Sequence, residues 1–180
     1  MIRTARCLLL ILFAAGVARA DTLYSNGPDP GLYSWQINFG YAVSDSFVLN
    51  RASHIDQITL SIWDVDDLNN PMTAGWKITT QPFGGQILAS GNSFLGLVSP
   101  CQQNRALFCQ WEMAIYINAN LPAGTYWLQV DDVRTKFNTD AFWGQSSGPS
   151  RAYLYSGPNS SNTAVRAIPS ESFEVLGTQQ

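Results

Sequence analysis

Apolar residues return at every second position along most of this chain. Trp35, Ile37 and Phe39 alternate with Gln36 and Asn38. Tyr41, Val43, Phe47 and Leu49 share one parity, which Asp45 interrupts. The same period recurs at Ile58–Ile62, Trp76–Ile78, Trp111–Ile117 and Tyr126–Val130. Shorter candidates are Gln86–Ser90, Ser93–Val98, Ala152–Tyr155 and Ser172–Leu176. A period of two is the signature of a strand with one buried face. Turn formers punctuate the runs: Asn69-Asn70-Pro71, Pro82–Gly85, Gly91-Asn92, Pro122-Ala123-Gly124 and Gly148-Pro149. No stretch sustains an apolar stripe of period 3.6, and no helix-length segment separates the strands. The pattern predicts an all-β chain, an antiparallel β-sandwich of jelly-roll type. In Leu121–Leu128 a Pro-Gly turn launches an aromatic strand; Tyr126, Leu128 and Val130 should face the core, and Trp127, Gln129 and Asp131 the other side.

The first twenty residues break the pattern. Arg3 and Arg6 precede the apolar run Leu8–Ala15, and Ala18-Arg19-Ala20 is an A-x-A cleavage site. These are the three parts of a secretory signal peptide, and the run is too short to span a membrane. Residues 1–20 are therefore expected to leave, and residues 21–180 to form one domain with no membrane span. Without the signal the chain carries 7 basic against 13 acidic residues. Nucleic acid is an improbable partner for such a surface, because phosphate binding needs clustered Lys and Arg. Cys7 leaves with the signal. Cys101 and Cys109 remain, bracketing a short polar loop, and in an oxidising compartment they read as one disulfide.

The candidate chemistry is narrow. His54 is the only histidine and no G-x-S-x-G elbow is present, so a Ser-His-Asp triad is not expected. Asp64, Asp66 and Asp67 form the densest oxygen cluster, a candidate Ca2+ loop, although it departs from the EF-hand spacing. The alternative is a solvated turn. Glu112, Glu171 and Glu174 are the only glutamates; a glycosidase would need two carboxyls across a cleft. Six tryptophans are generous for this length. Trp35, Trp76 and Trp111 fit the apolar parity, whereas Trp63, Trp127 and Trp143 fall off it or near loops. Those three are candidates to stack on sugar rings, with packing under loops as the other reading. Asn159-Ser160-Ser161 matches a glycosylation sequon, a short pattern that arises by chance.

Leu23–Pro28, Tyr41–Phe47, Leu121–Leu128 and Ile168–Val175, in that order, with Phe142-Trp143 and Ser147–Ser150 between the last two, carry a resemblance. The chain resembles exported bacterial proteins of the PEP-CTERM-associated type. The resemblance also implies a Pro-Glu-Pro sorting tail, which the residues up to Gln180 do not include, so sorting by that route is not expected from them. The resemblance implies a Gram-negative protein sent to the periplasm, outer surface or medium, and it implies no catalytic residues. The expected function is that of a non-catalytic surface or extracellular-matrix protein that binds polysaccharide. The alternative is a secreted glycan hydrolase using paired carboxylates.

Overall fold

The computed structural model describes residues 20–65, 70–104, 107–157 and 164–180. Thirteen strands form among the described residues, three more than the ten alternating runs. They are β1 (Asp21–Ser25), β2 (Ser34–Gln36), β3 (Ala42–Leu49), β4 (Ser53–Asp64), β5 (Pro71–Gln81), β6 (Gly84–Phe94) and β7 (Gly96–Gln103). Then follow β8 (Cys109–Leu121), β9 (Gly124–Thr135), β10 (Ala141–Gly144), β11 (Ala152–Ser156), β12 (Ala164–Ile168) and β13 (Phe173–Gln179). All pair antiparallel, in two sheets.

In sheet A the order runs β1-β13-β4-β8-β7, and β10 extends from the end of β4 to β2. Sheet B runs β12-β11-β3-β9-β5-β6. Eight strands, β1-β13-β4-β8 facing β3-β9-β5-β6, interleave as two Greek keys do in a jelly roll. The expected all-β sandwich is what the chain forms.

Parity explains the core. Ile58, Leu60 and Ile62 of β4, Met113 and Ile115 of β8 and Val175 of β13 point inward from sheet A. Val43 and Phe47 of β3, Leu128 and Val130 of β9 and Ile78 of β5 meet them from sheet B. Phe47 and Phe173 meet edge-on, with centroids 6.4 Å apart. At the β8–β9 turn the Tyr126 hydroxyl donates to the Pro122 carbonyl at 2.8 Å, closing the hairpin on itself. Cys101 and Cys109 are joined by a disulfide that clips β7 to β8. Such a bond is compatible with an oxidising environment. No helix among the described residues is long and apolar enough to cross a membrane.

Two local expectations change. The Gly91-Asn92 turn does not exist: β6 runs straight through it, paired with β5 from Thr73↔Phe94 to Gln81↔Gly84. Gly91 is there for close packing. A Cβ at that position would lie 2.9 Å from Cζ2 of Trp76. The run from Trp35 to Phe39 is also cut short. β2 ends at Gln36, and Phe39 turns the chain with φ of 54°.

Candidate functional site

The two sheets leave two outer faces, and each carries a cavity. The face of sheet B is the more aromatic. β9 contributes Trp127, Gln129 and Asp131, the parity expected to point away from the core. β11 sets Tyr153 and Tyr155 on the same side, because Tyr153 lies opposite Ser44 and Tyr155 opposite Ala42. Trp127 and Tyr153 pack at 5.5 Å between ring centroids.

The β5–β6 turn then folds over this face. Phe83, at its tip, packs on Tyr155 with centroids 5.8 Å apart. Yet β5 and β11 are separated by β9 and β3, about 14 Å at the usual strand spacing. The tip must therefore arch across two strands. Positive φ at Phe83 (52°) and Gly85 (72°) makes the bend. At Gly85 a Cβ would meet the Thr80 hydroxyl at 2.4 Å, so only glycine fits.

Beneath and beside the tip is a cavity of about 490 Å³ lined by Tyr41, Lys77, Phe83, Gln129, Asp131 and Tyr155, with Gly40, Ala42 and Asp132 at its margin. Its polar groups are organised. Gln129 donates through Nε2 to Oδ2 of Asp131 at 2.6 Å, and Nζ of Lys77 lies 3.5 Å from the same oxygen. An amide, an ammonium and a carboxylate thus line one space together with three rings. Aromatic walls with a few placed polar groups are how concave sites hold small polar ligands.

The face of sheet A carries a cleft of about 350 Å³. Asp29, Glu112 and Glu174 line it, among hydroxyls and amides that include Ser61, Gln102 and Gln110. No Lys, Arg or His is among its lining residues. Glu174 on β13 lies opposite Thr59, and Glu112 on β8 lies opposite Ser61, so the two flank β4. Their Cα atoms stand roughly 12 Å apart by sheet geometry. Glu174 accepts from the Ser25 hydroxyl at 3.0 Å.

The three candidate tryptophans separate. Trp127 is half-buried on the face of sheet B, beside the groove. Trp143 is 0% exposed; it sits in the core against Phe173, and its Nε1 donates to the Ser172 carbonyl at 2.9 Å. Trp63 is 3% exposed and donates to Oδ2 of Asp29 at 2.5 Å. The expectation that Trp63 and Trp143 offer free rings is thus corrected. Both lie on strands that other chain segments cover, so falling near a loop did not mean facing solvent. Tyr41, Phe83 and Tyr155 supply the rings instead. Only Tyr155 gave an advance signal, as a ring on the candidate strand Ala152–Tyr155; Tyr41 shares the parity of core-facing Val43 and Phe47, and Phe83 is a turn residue without parity.

The candidate calcium loop is only partly placed. Asp64 is buried at the end of β4, where Oδ1 accepts from the Thr139 hydroxyl (2.8 Å) and the Val65 amide (2.5 Å). It points into the fold rather than into a loop. Asp66 and Asp67 lie outside the described residues, as does the Asn159–Ser161 sequon. Among the described residues no three His, Cys, Asp or Glu side chains are placed to share one ion. His54, near the start of β4, contacts Asn120 and Asp56.

A third feature is internal. The parity break at Asp45 is real: this carboxylate points into the sandwich and is 0% exposed. Its Oδ2 accepts from the Glu171 amide (2.7 Å) and from Nδ2 of Asn26 (3.1 Å), and its Oδ1 from the Ser46 amide (2.6 Å). Burial raises its pKa to about 6, against hydrogen bonds from Ser150, Glu171 and Ser46 that pull it down. Glu171 is also 0% exposed, and neither carboxylate oxygen has a hydrogen-bond partner. Burial first, then the charges of Asp45 and Asp29, push its pKa well above the ordinary value.

Compared with known proteins, the chain matches no family model and no curated sequence.

Proposed function

We propose that this protein is a non-catalytic exported module of the cell surface or extracellular matrix, and that it binds polysaccharide in the groove on the face of sheet B. One observation carries the reading: three rings, Tyr41, Phe83 and Tyr155, surround the Lys77–Asp131–Gln129 polar group in a single cavity. Sugar rings present apolar C–H faces that stack on aromatics and hydroxyls that need paired donors and acceptors. The groove offers both. The signal-like first twenty residues, the disulfide and the resemblance to PEP-CTERM-associated proteins support export from a Gram-negative cell.

The test is retention on immobilised polysaccharides and a glycan array, with Tyr155→Ala and Phe83→Ala beside the wild type. Retention that both substitutions abolish supports the reading. Retention by no glycan, or equal retention of all three proteins, removes it.

The cleft on sheet A favours a second reading, a glycan hydrolase with Glu112 and Glu174 as its paired carboxylates. It requires release of reducing ends from a glycan, lost in Glu112→Gln and Glu174→Gln.

A further inference from the structure

The stretches that carry the family resemblance lie far apart along the chain, yet four of them meet at one buried point. Asn26 comes from Leu23–Pro28, Asp45 from Tyr41–Phe47, Ser150 from Ser147–Ser150 and Glu171 from Ile168–Val175. Nδ2 of Asn26 lies 3.1 Å from Asp45, 2.6 Å from the Ser150 hydroxyl and 2.6 Å from the Glu171 carbonyl. Ser170 ties the same point together by donating to the Gly148 carbonyl at 2.7 Å.

Two carboxylates occupy this junction, and their charge is not balanced by protein. The ion pairs among the described residues are His54–Asp56, Lys77–Asp131 and Arg134–Asp132, and none reaches Asp45 or Glu171. The local N–H donors are already engaged, since the Glu171 and Ser46 amides and the Asn26 amide bind Asp45. Nothing remains for Glu171. Its two oxygens are fully buried and have no hydrogen-bond partner, and the charges of Asp45 and Asp29 act on it. A buried carboxyl left bare is costly, and a bound ion is one of the few things that satisfies it.

We propose that this junction holds a divalent hard cation of the calcium class, with Glu171 and Asp45 supplying the balancing charge. The groups able to ligate are oxygens, with no thiol or imidazole among them, which disfavours the soft and imidazole-seeking metals. Only two of the ligands are carboxylates, so neutral oxygens complete the shell; the Ser150 hydroxyl and the Glu171 carbonyl, which both face Asn26 Nδ2, are at hand. Calcium accepts that mixture, because it takes six to eight oxygens in flexible geometry. The ion would tie the segment after β1 and the segment before β13 to β3. It is independent of the Asp64–Asp67 loop and of the groove on sheet B.

The experiment uses the full chain, purified without chelator at pH 7.5. Metal content is measured by mass spectrometry; melting is then followed after EDTA treatment and after return of Ca2+ or Mg2+. About one calcium per chain is expected, with a melting rise of roughly 5–10 °C when millimolar Ca2+ is restored. Glu171→Gln should lose the ion and the response while keeping a β-type circular dichroism spectrum. Asp66→Asn should keep both. The proposal is overturned by wild type that holds no ion and melts alike with and without Ca2+. It is equally overturned by a response that survives Glu171→Gln or vanishes in Asp66→Asn. If Glu171→Gln does not fold, metal content and melting of the wild type and of Asp66→Asn still decide.

Discussion

On the outer face of sheet A, Glu112, Glu174 and Asp29 share a cleft with serines and glutamines. On the outer face of sheet B, Tyr41, Phe83 and Tyr155 surround a lysine, an aspartate and a glutamine. Both faces are built from alternating strands of one jelly roll, and both cavities are a few hundred Å³. The difference is a covering element. Gly27, Pro28 and Asp29, which border sheet A's cleft, bring no aromatic ring to it, whereas the β5–β6 tip arches over sheet B and brings Phe83 to Tyr155. Both faces are concave, but aromatic walls come to the face onto which a neighbouring turn folds.

Substitutions can break this comparison, and the largest effect belongs to neither face. Trp143→Ala should destabilise the fold by about 3–5 kcal/mol in denaturant titration, because the indole is fully enclosed between β4, β2 and Phe173. Trp127→Ala, on the outer face of sheet B, should cost well under half of that. If the two cost the same, the assignment of Trp143 to the core and Trp127 to the surface is wrong.

Next comes the contrast between the carboxylates at the surface and those inside. Asp45 has a folded pKa of about 6 against 3.8. A raised acid pKa favours the protonated folded state, so its contribution is full below 3.8 and is lost as pH rises to about 6. With chelator present, stability should therefore fall by of order 2–3 kcal/mol across that window. Glu171 acts in the same direction and extends the loss to higher pH, since its pKa is raised well above the ordinary value. Asp45→Asn should flatten the profile between pH 4 and 6, as followed by urea midpoints. A slope unchanged by Asp45→Asn would show that this carboxyl is not its source.

Smaller effects sharpen the choice between the faces. Tyr155→Ala should weaken glycan binding about tenfold, equivalent to ~1.4 kcal/mol, whereas Glu112→Gln should leave it unchanged by titration calorimetry. The reverse ranking would move the binding site to sheet A. Lys77→Ala should weaken binding only about two- to fivefold. Its ammonium is partly exposed and already shared with Asp131, so it contributes one hydrogen bond rather than a full charge.

The strands were readable because alternation is a local property. Ile58–Ile62 and Tyr126–Val130 face the core as their parity dictates. Asp45 was readable too, as a polar residue at an inward position, although parity alone could not say what surrounds it. Gly91 was misread because its reason lies on another strand, in the indole of Trp76. Trp63 and Trp143 were misread because sequence position near a loop does not reveal whether that loop covers the residue or leaves it open. The groove was invisible for a stronger reason: its lining comes from β3, β5, β9, β11 and a turn, and no spacing along one strand encodes it. Glu171 was visible only as one of three glutamates; its burial depends on four distant segments closing together.

The pairing of β1 with β13 sets a constraint on timing. Asp21 lies opposite Gly177, so the first strand of sheet A has its hydrogen-bonding partner only in the last ten residues. The loop that must close spans nearly the whole domain, and such non-local pairing slows folding to the millisecond-to-second range or beyond. Until the final strand arrives, the hydrogen-bonding edge of β4 stays open from Ser53 to Leu60, and Tyr24 has no Phe173 to pack against. A chain built this way stays unfinished while it is being made or threaded, and becomes a sandwich only once β13 is free to pair.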